Sequence, residues 1–212
     1  MKQFLELLKF ARYTMFHPFD GFYEIKYRDR GNALIATIFI VINAILAVVS
    51  AQFNGFLINF TNPARMNSFS IILFNITPLL IFVVANYSTT TLFDGKGLFR
   101  EIYTVVGYSL LPFIIIKLFL VFLSNVLTYD ELALYTLFMQ IGRVWFYFLV
   151  FCGLVVVHEY GFFKTIITLL ATALAIAIIT FLGLLFFALF QQLLAFISIF
   201  IEELSLRLEV WL

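Results

Sequence analysis

Residues 33–53 read ALIATIFIVINAILAVVSAQF, without a single charge. A helix needs roughly 20 mainly apolar residues to cross the hydrocarbon core of a bilayer. This stretch meets that length, and Asn32 stands before it as an N-cap. Moving outward, four more stretches qualify: Ser68 to Tyr87, Ile102 to Ser124, Leu137 to Val157 and Thr165 to Phe190. The expected fold class is therefore an all-α membrane protein with five transmembrane helices. Pro78 and Pro112 fall inside spans, where neighbouring helices can re-satisfy the freed carbonyls, and each predicts a kink.

Composition agrees. Of 212 residues, 64% are hydrophobic and 12% charged, whereas soluble domains carry about 25% charged residues. A soluble fold of this length could not bury so much apolar surface. Net charge is +1, which offers nothing to nucleic acid. The N-terminus interleaves charge with apolar residues and is not expected to be a cleavable signal. Cys152, the one cysteine, lies in an apolar run and reads as a small buried hydrophobe.

Basic residues set the expected orientation. With the N-terminus cytoplasmic, the inner segments hold Lys2, Lys9, Arg12, Lys26, Arg28, Arg30, Lys96, Arg100 and Lys164; the outer ones hold only Arg65 and Arg207. Five crossings then leave the C-terminus outside a cell membrane. Both ends look amphipathic. Phe4, Leu8, Ala11 and Met15 share a helical face, which suits either the membrane interface or the bundle. Residues 191–212 carry a stripe of Leu194, Ile197, Ile201, Leu204, Leu208 and Trp211. They are expected as an amphipathic C-terminal helix outside, lying in the interface or continuing the fifth span. The organisation expected is 1–31, an amphipathic helix and juxtamembrane segment; 32–190, the five-span domain; and 191–212.

Catalytic signals are missing. His158-Glu159 begins like a zinc-protease motif, but position 162 is Phe where the second His belongs. No P-loop, dinucleotide fingerprint or Gly-x-Ser-x-Gly occurs. Neither an enzyme nor a cofactor is expected, and His158-Glu159-Tyr160-Gly161 reads as an interfacial helix end. Charges within the bilayer are functional candidates. Lys117 and Arg143 are expected toward the outer side, snorkelling or pairing with Asp130 or Glu131. Asn75, Pro78, Tyr108, Pro112 and Lys117 are the candidate polar and kink positions inside the membrane. Asn43, Asn75 and Asn86 are expected to join helices by hydrogen bonds.

Two segments flank the expected inner face. In the first, Pro18 ends the leading helix and Asp20-Gly21 favours a turn; charges then alternate with aromatics through Arg28 and Arg30. In the second, Asp94-Gly95 is a turn signal and Lys96-Gly97 extends the loop to Arg100. These residues either anchor to anionic lipid or pack together as a docking face. The candidate docking set is Asp20, Gly21, Arg28, Arg30, Asp94, Gly95, Lys96, Gly97 and Arg100.

On three of these places the chain resembles a bacterial member of the Yip1 family: His17-Pro18-Phe19-Asp20-Gly21-Phe22 with Arg28-Asp29-Arg30-Gly31, the loop Thr91-Leu92-Phe93-Asp94-Gly95-Lys96-Gly97, and Gly107-Tyr108-Ser109-Leu110-Leu111-Pro112. The last is similar to the Tyr-Gly-Tyr-Ser-Leu stretch of eukaryotic members. The resemblance implies five membrane helices and a cytoplasmic N-terminus. Eukaryotic members associate with Rab GTPases and with each other in ER–Golgi traffic. Their long N-terminal region has no counterpart in the roughly 30 residues ahead of the first span here, so that role is not carried over. The expected function is a non-enzymatic protein that binds or organises other membrane proteins; the alternative is a small transporter or channel. Expected partners are membrane lipid and either a membrane-protein partner or a second copy.

Overall fold

The computed structural model describes residues 2–59 and 66–211, and the side chains of residues 6–59 and 66–204. Arg65, and the side chains of Lys2, Phe4, Arg207, Leu208 and Trp211, therefore lie outside what is described. The chain runs α1 Lys2–Phe16, α2 Pro18–Tyr27, α3 Ala33–Phe53, α4 Ser68–Leu92, α5 Phe99–Leu123, α6 Leu132–His158 and α7 Phe162–Trp211, with one 3-10 turn at Tyr129–Glu131 before α6. No strand occurs among the described residues. Five helices, α3 to α7, are long and apolar enough to cross a membrane. This is an all-α membrane protein.

Local chemistry explains the boundaries. The Asn32 side chain accepts the Leu34 amide at 2.8 Å and starts α3; Asn67 accepts those of Phe69 and Ser70 and starts α4. Glu101 reaches back to the Leu98 amide at 2.9 Å to start α5, which satisfies a donor that a helix start leaves orphaned. Pro18 begins α2 rather than only ending α1, because its fixed φ and missing N–H suit the first helical position. That overturns the turn expected at Asp20-Gly21: both lie inside α2. Asp20 in the first turn favours the helix dipole. Gly21 has no room for a side chain, since a Cβ there would stand 2.6 Å from Thr14 Oγ1 of α1.

The core is formed by α3, α5 and α6, with α1 and α2 laid against one end. Gly107 lets α3 and α5 touch, since a Cβ would lie 2.4 Å from Ala36 Cβ; Gly153 does the same between α6 and Val105 of α5. Small residues at such crossings let backbones approach closely where lipid supplies no hydrophobic drive. Of the two places open to α1, it takes the bundle. Ala11 and Thr14 are buried, and Phe10 meets the ring of Tyr108 edge-on at 6.1 Å. Cys152 is buried in this core.

The fifth span differs most from expectation. α7 is one helix of 50 residues, about 75 Å long at 1.5 Å per residue. Residues 191–211 continue the span. Its first half packs on α4, where Thr172 meets Asn86, and Thr165, Thr168 and Thr172 are all buried. From Thr180 to Leu204 every residue is exposed.

Candidate functional site

The turn between α6 and α7 is built on Glu159, whose backbone is left-handed at φ 57°. A left-handed non-glycine residue costs about 1–2 kcal/mol, so surrounding bonds must hold it. They do. Glu159 accepts from Lys96 Nζ at 2.6 Å, from Lys26 Nζ at 3.0 Å and from the Tyr27 hydroxyl. Lys26 donates also to the Val157 carbonyl at 2.5 Å. One carboxylate thus joins the end of α2, the loop between α4 and α5, and the α6–α7 turn. Lys26 is nearly buried, with 8% of its side chain exposed, while Lys96 is 69% exposed. Lys96, then Tyr27, then Lys26 hold the Glu159 carboxyl down at about 2. The same bond to Glu159 pushes the Tyr27 phenol up to about 12.

Beside it runs a buried polar chain. The Thr172 hydroxyl of α7 donates to the Thr168 carbonyl at 2.7 Å. It therefore accepts from Asn86 Nδ2 at 3.1 Å. That orients the amide so that Asn86 Oδ1 faces His158 Nε2 at 3.1 Å, and Nε2 carries the proton. Asn86 thus ties α4 to α6 and α7, the joining role expected of it. His158 Nδ1 has no hydrogen-bond partner. It looks onto Gly95 and Gly97, where a Cβ would come within 2.8 Å and 2.7 Å of it. The His158 ring stacks on Tyr160, whose hydroxyl donates to the Phe93 carbonyl at 3.0 Å. Lys164 Nζ lies 4.5 Å from the Tyr160 ring centre. Gly95 and Gly97 are therefore needed for close approach, not for φ; the left-handed residue of the loop is Asp94, at φ 56°.

The expected docking residues separate into groups. Gly95, Lys96 and Gly97 belong to this node. Asp94 and Arg100 are exposed beside it. Arg28 and Arg30 turn away and pair with Glu24 at 3.3 and 2.7 Å. Asp20 is exposed and Gly21 is spent on the α1–α2 contact. The first and second segments meet through Glu159 and not by facing each other. Glu159, His158, Lys26 and Tyr27, which stand outside the docking set expected from the sequence, complete the node. The available signal was a Glu between His and Tyr immediately before Gly161, at the end of a span.

The intramembrane candidates also divide. Tyr108 and Pro112 are packed in the core. The Tyr108 hydroxyl accepts the Asn32 amide at 3.3 Å. Asn75 donates to Ile71 of its own helix at 3.0 Å. Asn75 and Pro78 line a cavity together with Asn43 and Arg143. Lys117 is 8% exposed, with its ammonium 5.6 Å from the centre of the Phe113 ring. It does not snorkel, and among the described residues neither it nor Arg143 forms an ion pair with Asp130 or Glu131. Arg143 is not near a helix start either, because α6 with its leading turn begins eight residues earlier than the apolar run suggests; it stands at the midpoint of Tyr129–His158. No group of three or more His, Cys, Asp or Glu that could hold a metal occurs among the described residues.

Residues 12–185 match the Yip1 domain. The chain belongs to the Yip1 domain family. The match spans the node, the Gly107-Tyr108 crossing and all five apolar helices as far as Leu185 of α7. No curated protein and no solved structure matches the chain.

Proposed function

We propose that this Yip1-domain protein binds and organises other membrane proteins, without catalysis, through the face that carries α1, α2 and the 93–98 loop. The observation that carries this reading is the Glu159 node. It locks two segments that are remote in sequence and leaves Asp94, Lys96 and Arg100 exposed beside Leu92 (83% exposed) and Leu98 (62% exposed). A charged rim with flanking apolar residues, held in place beforehand, lowers the ordering cost of docking. Simple lipid anchoring needs no such preorganisation. The concentration of Lys26, Lys96 and Lys164 at this face favours the cytoplasmic side.

Photocrosslinking residues at Asp94 and Arg100 in native membranes should give a protein adduct of defined size. Residues at Phe186 and Phe196 of α7 should give lipid adducts only. A lack of protein adduct at both node positions would sink the reading. Asp94→Asn is the informative recognition variant, because Asn tolerates the left-handed backbone; partner binding should fall with membrane insertion unchanged. The second reading, a small transporter or channel, draws on the cavity beside Arg143, and solute flux in liposomes that Arg143→Gln abolishes would favour it.

A further inference from the structure

Four helices line one laterally open cavity near their midpoints, and Arg143 is exposed within it. Asn43 is the central residue of α3. Pro78 lies two residues from the centre of α4, Leu110 one from the centre of α5, and Arg143 stands midway along Tyr129–His158. All four line a space of about 230 Å³. The charge in it is cationic: Arg143 faces it and no acidic residue lines it. Asn43 is 5% exposed and its Oδ1 has no hydrogen-bond partner. Pro78 lacks an N–H, so the carbonyl of Phe74, a residue that also lines the cavity, loses its helical donor. An arginine midway along a membrane-spanning helix is costly and is kept where it meets a partner. No protein anion is there to meet it among the described residues.

A second cavity of about 430 Å³ adjoins the first across Pro78, Leu79, Phe146 and Tyr147. Its remaining wall is almost wholly apolar, with Ile81, Phe82, Val150 and Ile176. The pair thus has a cationic, amide-lined end and a hydrocarbon end.

We propose that these two cavities form one site for a single-chain anionic amphiphile. The carboxylate or phosphate head meets Arg143 and the Asn43 amide, and the acyl tail lies against Phe82, Val150 and Ile176. Asn43 presents its NH₂ to the anion by rotating about its terminal bond, which leaves its oxygen free for a head-group hydroxyl. Guanidinium is suited to both heads because its planar fork bonds carboxylate and phosphate in pairs. The proposal is independent of the node at Glu159, which lies at the far end of α6.

The test uses the full chain purified in a mild nonionic detergent. Oleate, oleoyl lysophosphatidate, oleoyl lysophosphatidylcholine and monoolein are titrated, and retention is read by native mass spectrometry. Oleate or lysophosphatidate should be held at least about tenfold more tightly than monoolein, the worth of one charged hydrogen-bonded contact; which of the two is tighter identifies the head. Arg143→Gln should remove that preference, and Val150→Trp should weaken both anionic ligands while leaving the head contacts in place. Equal retention of monoolein, an anion preference that survives Arg143→Gln, or anionic ligands held as tightly by Val150→Trp as by the wild type would each overturn the proposal. Folding of each variant is checked by its melting temperature, and the Val150→Trp arm stands if Arg143→Gln does not fold.

Discussion

The α6–α7 turn and the second half of α7 belong to the same helix pair, yet they are specified in opposite ways. At the turn one carboxylate receives three side chains from two distant segments. From Thr180 to Leu204, α7 has twenty-five consecutive exposed residues, mostly Leu, Phe and Ile. In a membrane an apolar helix can be covered by lipid anywhere, so such residues guarantee burial without choosing a neighbour. Polar groups left unpaired in hydrocarbon are costly. The few that the chain carries therefore decide which helices meet.

The largest effect expected on the packed side comes from Gly107→Leu. The new side chain would drive into Ala36 at the α3–α5 crossing, and overpacking costs about 1–3 kcal/mol or more. Thermal unfolding in detergent should drop by several degrees or the protein should fail to insert. Next comes Asn86→Leu, which strands the His158 N–H and breaks the link to Thr172. Leaving a buried donor unsatisfied costs about 1–3 kcal/mol. Asn75→Leu, where the amide only folds back on its own helix, should cost less.

Glu159→Gln sharpens the comparison through pH. The folded carboxyl lies at about 2, below its ordinary 4.5. Its contribution is therefore present above about pH 4.5 and fades as the pH falls toward 2. The wild-type protein should melt above Glu159→Gln at pH 7, and the gap should close between about pH 4.5 and pH 2. A gap that does not change with pH would mean that the charge on Glu159 stabilises nothing. The smallest effect belongs to the bare side. Phe196→Ala should change stability by less than about 0.5 kcal/mol. A large loss there would reveal that the second half of α7 has a partner.

Much of the architecture is legible in order along the chain. Spans announce themselves by length and lack of charge, and Asn32 announces the start of α3. The node was hidden for a geometric reason. Glu159 meets Lys96 at a separation of 63 residues and Tyr27 at 132, and periodicity speaks only of neighbours a turn apart. Arg143 lies further along its helix than the apolar run suggests, for a different reason. Tyr129, Asp130 and Glu131 look like loop, yet they form the turn that leads into α6 and carries the helix eight residues further out. Asp20-Gly21 carries a turn signal that Pro18 overrides from two residues upstream. The continuation of α7 was open because an amphipathic end and a long span share one pattern.

Hydrogen exchange read by mass spectrometry on the protein in lipid nanodiscs tests the central claim that Glu159 holds the two segments together. The Gly95 amide donates to the Thr90 carbonyl at 2.8 Å and should be protected, as should residues 24–28. In Glu159→Gln both peptides should lose protection together while peptides from α3 and α5 keep theirs. If the 93–98 loop and the end of α2 remain as protected as in the wild type, the node is not what joins them.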